Sequence, residues 1–160
     1  MQDIETSKRV LGQEHPNTLT SMGNLASTYL SQGQWKEDED LEVQAIKMRK
    51  WVLSQEHPDA LTSMGNLALI YSKQVRWGEA EELFVQVVEM RKSVLGREHP
   101  DTLTSMANLA LVYLNQARWK EAEELFVQVM EMRKRVLGYE HPDTLTSMGN
   151  IVSTYRNQGR

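Results

Sequence analysis

An internal period constrains this chain more than any other feature. The dipeptide His-Pro recurs at His15-Pro16, His57-Pro58, His99-Pro100 and His141-Pro142, each step being 42 residues. Tyr29, Tyr71, Tyr113 and Tyr155 keep the same step, as do Trp35, Trp77 and Trp119. Between residues 58–96 and 100–138, 30 of 39 positions are identical. Segments this alike adopt nearly the same conformation. A period of this length marks a repeat architecture in which each unit buries its apolar face only against its neighbours.

Each unit reads as a helical hairpin. The first helix opens at proline, where a missing amide N–H does no harm. Asp59 puts a carboxylate at the positive end of the helix dipole. Thr18, Thr102 and Thr144 stand where the second unit has Ala60. Leu61, Met64, Leu67, Ala68 and Tyr71 then recur at helical spacing. A turn falls over residues 74–78, with Gly33 and Gly159 at that turn in the first and last units. The second helix carries Ala80, Leu83, Phe84, Val87, Val88, Val94 and Leu95. Its start is acidic (Glu79, Glu81, Glu82) and its end basic (Arg91, Lys92), both favourable to the dipole. Gly96 stands where a glycine commonly ends a helix. No stretch shows a strand pattern. The expected fold is all-α, a right-handed superhelical solenoid of stacked antiparallel hairpins. Residues 1–12 form half of a preceding second helix, 13–54, 55–96 and 97–138 are full repeats, and 139–160 is a first helix.

These residues resemble the tetratricopeptide repeat. The matching positions in the second unit are Leu67, Ala68, Tyr71, Trp77, Ala80, Phe84 and Val87, and in the third Leu109, Ala110, Tyr113, Trp119, Ala122, Phe126 and Val129. The family's usual period is about 34 residues. The excess here falls between Met90 and His99, a pattern similar to the kinesin-light-chain type and to repeat arrays of NTPase-linked receptors. The resemblance implies a non-catalytic scaffold for protein or peptide partners, whose first helices line a concave surface that takes extended segments. A subset of the family clamps a C-terminal carboxylate with lysines and asparagines. Gly23, Gly65 and Ala107 occupy one of the lysine places here and Thr104 another, so no such clamp is expected.

The residues expected to face the groove are Thr62, Asn66, Leu69 and Lys73 in the second unit, with Thr104, Asn108 and Leu111 in the third. Asn24, Asn66, Asn108 and Asn150 form a ladder in sequence, and each amide offers a donor and an acceptor to a passing peptide backbone. Gly23, Gly65, Ala107 and Gly149 beside them leave room for that approach. The alternative is that each asparagine bridges to the neighbouring helix.

Composition excludes several function classes. A net charge of −4 gives neither the basic stripe of a nucleic-acid binder nor a polybasic membrane patch. No apolar run is long enough to span a bilayer, and Met1-Gln2-Asp3-Ile4-Glu5 is no signal peptide. The absence of cysteine removes disulfides, thiolate metal sites and thiol catalysis, and suits an intracellular, cytoplasmic setting. The recurring histidines read as a loop-to-helix signal, since stacked helices about 8–10 Å apart hold them too far apart to share a metal. The glutamates of the second helix read as a solvated face. Thr62 and Ser63 have no recurring general base beside them. No cofactor, metal or catalysis is expected.

The first unit departs from its neighbours. Asp38 replaces Ala80 and Ala122, and Glu42 replaces Phe84 and Phe126. Carboxylates in buried slots are costly unless paired, so this unit either packs loosely or turns this end toward water or a basic partner. It is expected to be the least stable. The chain's ends carry no polar capping helix. Met148, Ile151, Val152 and Tyr155 at one end, and Ile4 at the other, are expected to be partly exposed. That exposure suggests head-to-tail self-association into a rod or spacer.

Overall fold

The structure is a computed structural model that describes residues 6, 9–12, 15–54 and 56–159. Seven helices account for most of the described residues: α1 (Pro16–Ser31), α2 (Trp35–Val52), α3 (Pro58–Lys73), α4 (Trp77–Val94), α5 (Pro100–Asn115), α6 (Trp119–Leu137) and α7 (Pro142–Asn157). Residues 9–11 are also helical. No strand occurs among the described residues, and none of their helices is long and apolar enough to cross a membrane. The chain divides into two compact units, Met1–Arg76 and Trp77–Arg160. In the first, α2 packs on both α1 and α3; in the second, α4, α5, α6 and α7 pack each on the next.

Histidine begins every first helix. His57, His99 and His141 sit at the N-cap with extended backbone, and each Nδ1 accepts the N–H of the aspartate two residues on, at 3.2 Å. His15 does the same for Asn17. A residue before proline is pushed to extended backbone, which is the conformation an N-cap needs. The imidazole thereby satisfies a helix donor that would otherwise be orphaned. Threonine adds a second clamp. Thr18, Thr102 and Thr144 are fully buried, and their hydroxyls donate to the carbonyls of Gly12, Gly96 and Gly138 at 2.9 Å. Ala60 leaves the joint between α2 and α3 without that bond.

The turn after each first helix is a left-handed cap. The N–H of Arg76 reaches the carbonyl of Tyr71, and that of Arg118 the carbonyl of Tyr113, both at 2.9 Å. This is the six-to-one bond of a Schellman motif, which needs positive φ at the residue before the donor. Glycine supplies it at Gly33 and Gly159, both at +72°, but the middle repeats use Val75 at +63° and Ala117 at +59°.

The core follows the expected periodicity. In the first unit Leu19, Met22 and Ala45 cluster with Leu25, Leu41 and Met48, and Leu61, Met64, Ala68 and Ile70 are buried on α3. In the second, Phe84 and Phe126 are buried, as are the small residues Ala80, Ala110 and Ala122. Side chains of this size contribute about 1.5–3 kcal/mol each when withdrawn from water.

Candidate functional site: the exposed stripe of the first helices

Thr62, Asn66, Leu69 and Lys73 stand at i, i+4, i+7 and i+11, so they share one face of α3. Thr62 and Lys73 are exposed, and Asn66 and Leu69 half-buried. On α5 the same face carries Thr104, Asn108 and Leu111, with Leu111 38% exposed. Asn24 is exposed on α1 and Asn150 half-buried on α7. Thr104 Oγ1 lies 3.5 Å from Arg133 Nη2.

The asparagines divide into two kinds. Asn66 Nδ2 donates to Glu42 Oε1 at 3.0 Å, so at this position the bridge to a neighbouring helix is the one formed. Asn108 and Asn150 face no carboxylate, because phenylalanine fills the slot that Glu42 occupies. Their side-chain amides have no hydrogen-bond partner among the described residues. A Cβ built on Gly65 or Gly149 would meet nothing within 4 Å, so the room beside these asparagines is real.

Asp38 and Glu42 do not face water. They are 2% and 1% exposed, one helical turn apart on α2. Asp38 Oδ2 and Glu42 Oε2 have no partner among the described residues. Burial, with the Glu42 charge adding to it, pushes the Asp38 carboxyl up to about 6. Burial raises Glu42 as well, against the opposing effects of Asn66, Ser63 and Arg49. Of the two readings of this unit, the one that turns its end toward water is therefore overturned: the carboxylates occupy the alanine and phenylalanine slots and stay inside.

Two arginine networks went unread in the sequence. Arg91 and Arg133, 9% and 8% exposed, run from the end of a second helix into the start of the next first helix. Arg91 Nη1 donates to Ser105 Oγ at 2.7 Å and to the Asp101 carbonyl at 3.0 Å. Arg133 does the same with Ser147 and Asp143, at 3.0 and 3.2 Å. Arg49 donates to Ser63 and, at 2.8 Å, to the Leu19 carbonyl. In the turns, Arg76 and Arg118 lie 4.1 and 4.3 Å from the centroids of Tyr71 and Tyr113. They pair with Glu39 and Glu81 of the preceding second helix at 2.8 and 2.7 Å. The 42-residue recurrence of Arg49, Arg91 and Arg133 was the available signal.

At the far end of the chain, Leu145 and Val152 are 50% and 59% exposed, whereas their counterparts Leu103 and Ala110 are 1% and 0%. Met148 and Tyr155 are half-buried. Ile151 is 9% exposed, contrary to expectation. It occupies the slot of Leu67 and Leu109, each 6% exposed. Ile4 lies outside the described residues.

Comparison with known proteins agrees with this architecture. A family model described as the tetratricopeptide repeat matches residues 59–134 and 106–160, and a second model of that description matches 18–59. No curated protein matches the sequence. A crystal structure of the nearly identical TPR-like repeats of a Podosopora anserina protein assigned as a kinesin light chain is 34% identical. The match covers 99% of this chain and 74% of that one at a TM-score of 0.85. BtubC (BKLC) from P. vanneervenii shares the fold at 20% identity and a TM-score of 0.81, over 91% of this chain and 58% of that one. The Sgt2 TPR domain from Aspergillus fumigatus does so at 17% identity and 0.63, over 91% and 81%. All-α hairpins, the 42-residue period and these matches together place the chain in the tetratricopeptide-repeat family, in its kinesin-light-chain-like form.

Proposed function

We propose that this tetratricopeptide-repeat chain is a scaffold for protein–protein interaction. We infer that the exposed stripe of α5 and α7 in the second unit is the recognition face and that it takes an extended segment of a partner protein. The observation that carries this reading is the pair Asn108 and Asn150: half-buried amides, without hydrogen-bond partners among the described residues. Each can give a donor and an acceptor to one peptide unit. Gly149 leaves space for the backbone to come close, and Leu111 supplies apolar contact. Asn66 is removed from this role by its bond to Glu42. The test is affinity capture from a cell extract with the chain and with Asn108→Arg/Asn150→Arg, after circular dichroism has shown both to be equally helical. Identified partners lost from the variant support the reading; the same partners on both forms refute it.

A second reading is favoured by Leu145 and Val152, exposed where their counterparts are buried. This face of α7 suits a second copy of the chain in a heterologous, rod-forming contact. Sedimentation velocity over a range of concentrations decides it. Association abolished by Val152→Asp and untouched by Asn108→Arg supports a rod, and a monomer at every concentration excludes one.

A further inference from the structure

The second helix of the first repeat differs from its counterparts on its solvent side as well as in its core. Trp51 is 82% exposed, more than any other large hydrophobic side chain among the described residues. Its counterparts are Ser93 and Arg135. Lys47 replaces Glu89 and Glu131. In the second repeat, Glu89 and Lys92 form an ion pair at 2.9 Å; in the first, the same spacing sets Lys47 against Lys50. Lys47, Lys50 and Trp51 stand at i, i+3 and i+4, and so share a face of α2. Neither lysine has an ion-pair partner among the described residues.

No ion pair among the described residues uses either lysine of this face. An exposed indole surrounded by water gains nothing in a monomer. Two like charges one turn apart repel, where the parent pattern attracts. An exposed tryptophan flanked by cations has the make-up of an interface anchor with a charged rim, where a rigid aromatic ring gives large contact area and the rim charges fix the partner's sign. We propose that Lys47, Lys50 and Trp51 form a docking surface for a short acidic segment of a partner protein, with an apolar side chain over the indole and carboxylates on the two lysines.

The charge count selects this occupant. Anionic bilayers are held by clusters of about 4–8 basic residues, and this face offers two lysines on a chain of net charge −4. A nucleic acid likewise requires a run of phosphate contacts along a basic stripe. Two carboxylates on a peptide match two lysines without excess charge of either sign. The surface is separate from the asparagine stripe: it lies on a second helix, and its binding does not depend on that stripe's function.

The test is fluorescence anisotropy with the full chain and a short fluorescein-labelled peptide of alternating glutamate and leucine. The arms are a lysine-for-glutamate version of the peptide, vesicles of phosphatidylcholine with phosphatidylserine, and single-stranded polyuridine. The double variant Lys47→Glu/Trp51→Ser restores residues that the second repeat already carries at these places, so it keeps the fold, as a thermal melt verifies. The expected result is saturable binding of the acidic peptide, weakened at least about tenfold in the double variant and unchanged in Asn108→Arg. Equal binding by the double variant, preference for vesicles or polyuridine, or no binding of the acidic peptide each overturns the proposal.

Discussion

Asn66 Nδ2 donates to Glu42 Oε1 at 3.0 Å across the interface of α3 and α2, and this bond turns a phenylalanine slot into a polar one. The carboxylate is 1% exposed, so removing its partner leaves a buried acceptor unsatisfied. Asn66→Leu is expected to lower the stability of the first unit by about 1–3 kcal/mol. Asp38→Ala/Glu42→Phe restores the pattern of the other repeats and removes the buried carboxylates together. It is expected to raise stability by about 1–4 kcal/mol, as replacing buried ionic groups with well-packed apolar ones often does. Urea unfolding of the variants checks both signs.

The same carboxylates make the first unit respond to pH. Asp38 is raised from 3.8 to about 6 by burial and by Glu42, and Glu42 is raised as well. The folded state therefore binds protons more tightly than the unfolded one, and the stability gained is complete below the unfolded value and lost as pH rises through about 6. The facing groups do not offset this. No charged residue occurs on α1, and Arg49 on α2 together with Asn66 and Ser63 on α3 only reduces the Glu42 shift. Asp59 and Lys73 lie toward the ends of α3. Between pH 7 and pH 5 the amide protons of α2 are expected to gain more protection in the wild type than in Asp38→Ala/Glu42→Phe. Hydrogen exchange at the two pH values measures that difference, and equal gains in both chains would falsify it.

How much of this was legible beforehand depended on where each partner lies. The helices could be read because their signals are local: His-Pro at the start of every first helix, apolar residues at 3.6-residue spacing, and dipole-matched charge at both ends of the second helices. Asp38 and Glu42 stood out as substitutions, but whether they faced water or core depended on Asn66, 24 residues away on another helix. The basic ends of the second helices suggested dipole complements, whereas Arg91 and Arg133 are buried tethers whose serine partners lie 14 residues on. Ile151 was readable after all, since subtracting one period gives Leu109, which is 6% exposed. The stripe's membership came from spacing; which of its asparagines were already committed came only from the packing.

The arginine tethers should control how each hairpin is held to the next. Arg133 reaches both the Ser147 hydroxyl and the Asp143 carbonyl, and burial lowers its pKa without removing its charge. Hydrogen bonds to charged groups contribute about 1.5–3 kcal/mol each. Arg133→Met keeps the apolar stem but loses both bonds and the contact with Thr104 of α5, so it is expected to destabilise the packing of α7 by about 3 kcal/mol or more. Ser147→Ala costs less, about 1.5–3 kcal/mol, because the carbonyl contact survives. Native-state hydrogen exchange should place the larger loss in α7, which Arg133 holds by two bonds, and a smaller one in α5, which it meets only at Thr104.

Three joints, at Ser54, Val75 and Ala117, use residues ill-suited to their backbone, and relieving the first two is expected to stabilise the array. Ser54 has φ of +122°, where Gly12, Gly96 and Gly138 sit between +93° and +95° in the other repeats. Val75 has φ of +63° in the slot that Gly33 and Gly159 fill. A residue with a Cβ held at positive φ costs about 1–3 kcal/mol, and branching at Cβ puts valine at the upper end. Glycine's greater freedom in the unfolded chain returns about 0.5–1 kcal/mol of that gain. Ser54→Gly and Val75→Gly are therefore each expected to add about 1 kcal/mol, with Val75→Gly the larger. Ala60→Thr offers a second route at the Ser54 joint, since a threonine there can donate to the carbonyl of residue 54 as Thr102 donates to Gly96. If strain governs the joint, Ser54→Gly and Ala60→Thr raise the urea midpoint separately and together. If the backbone there relaxes freely, Ser54→Gly lowers it by the entropy of glycine alone.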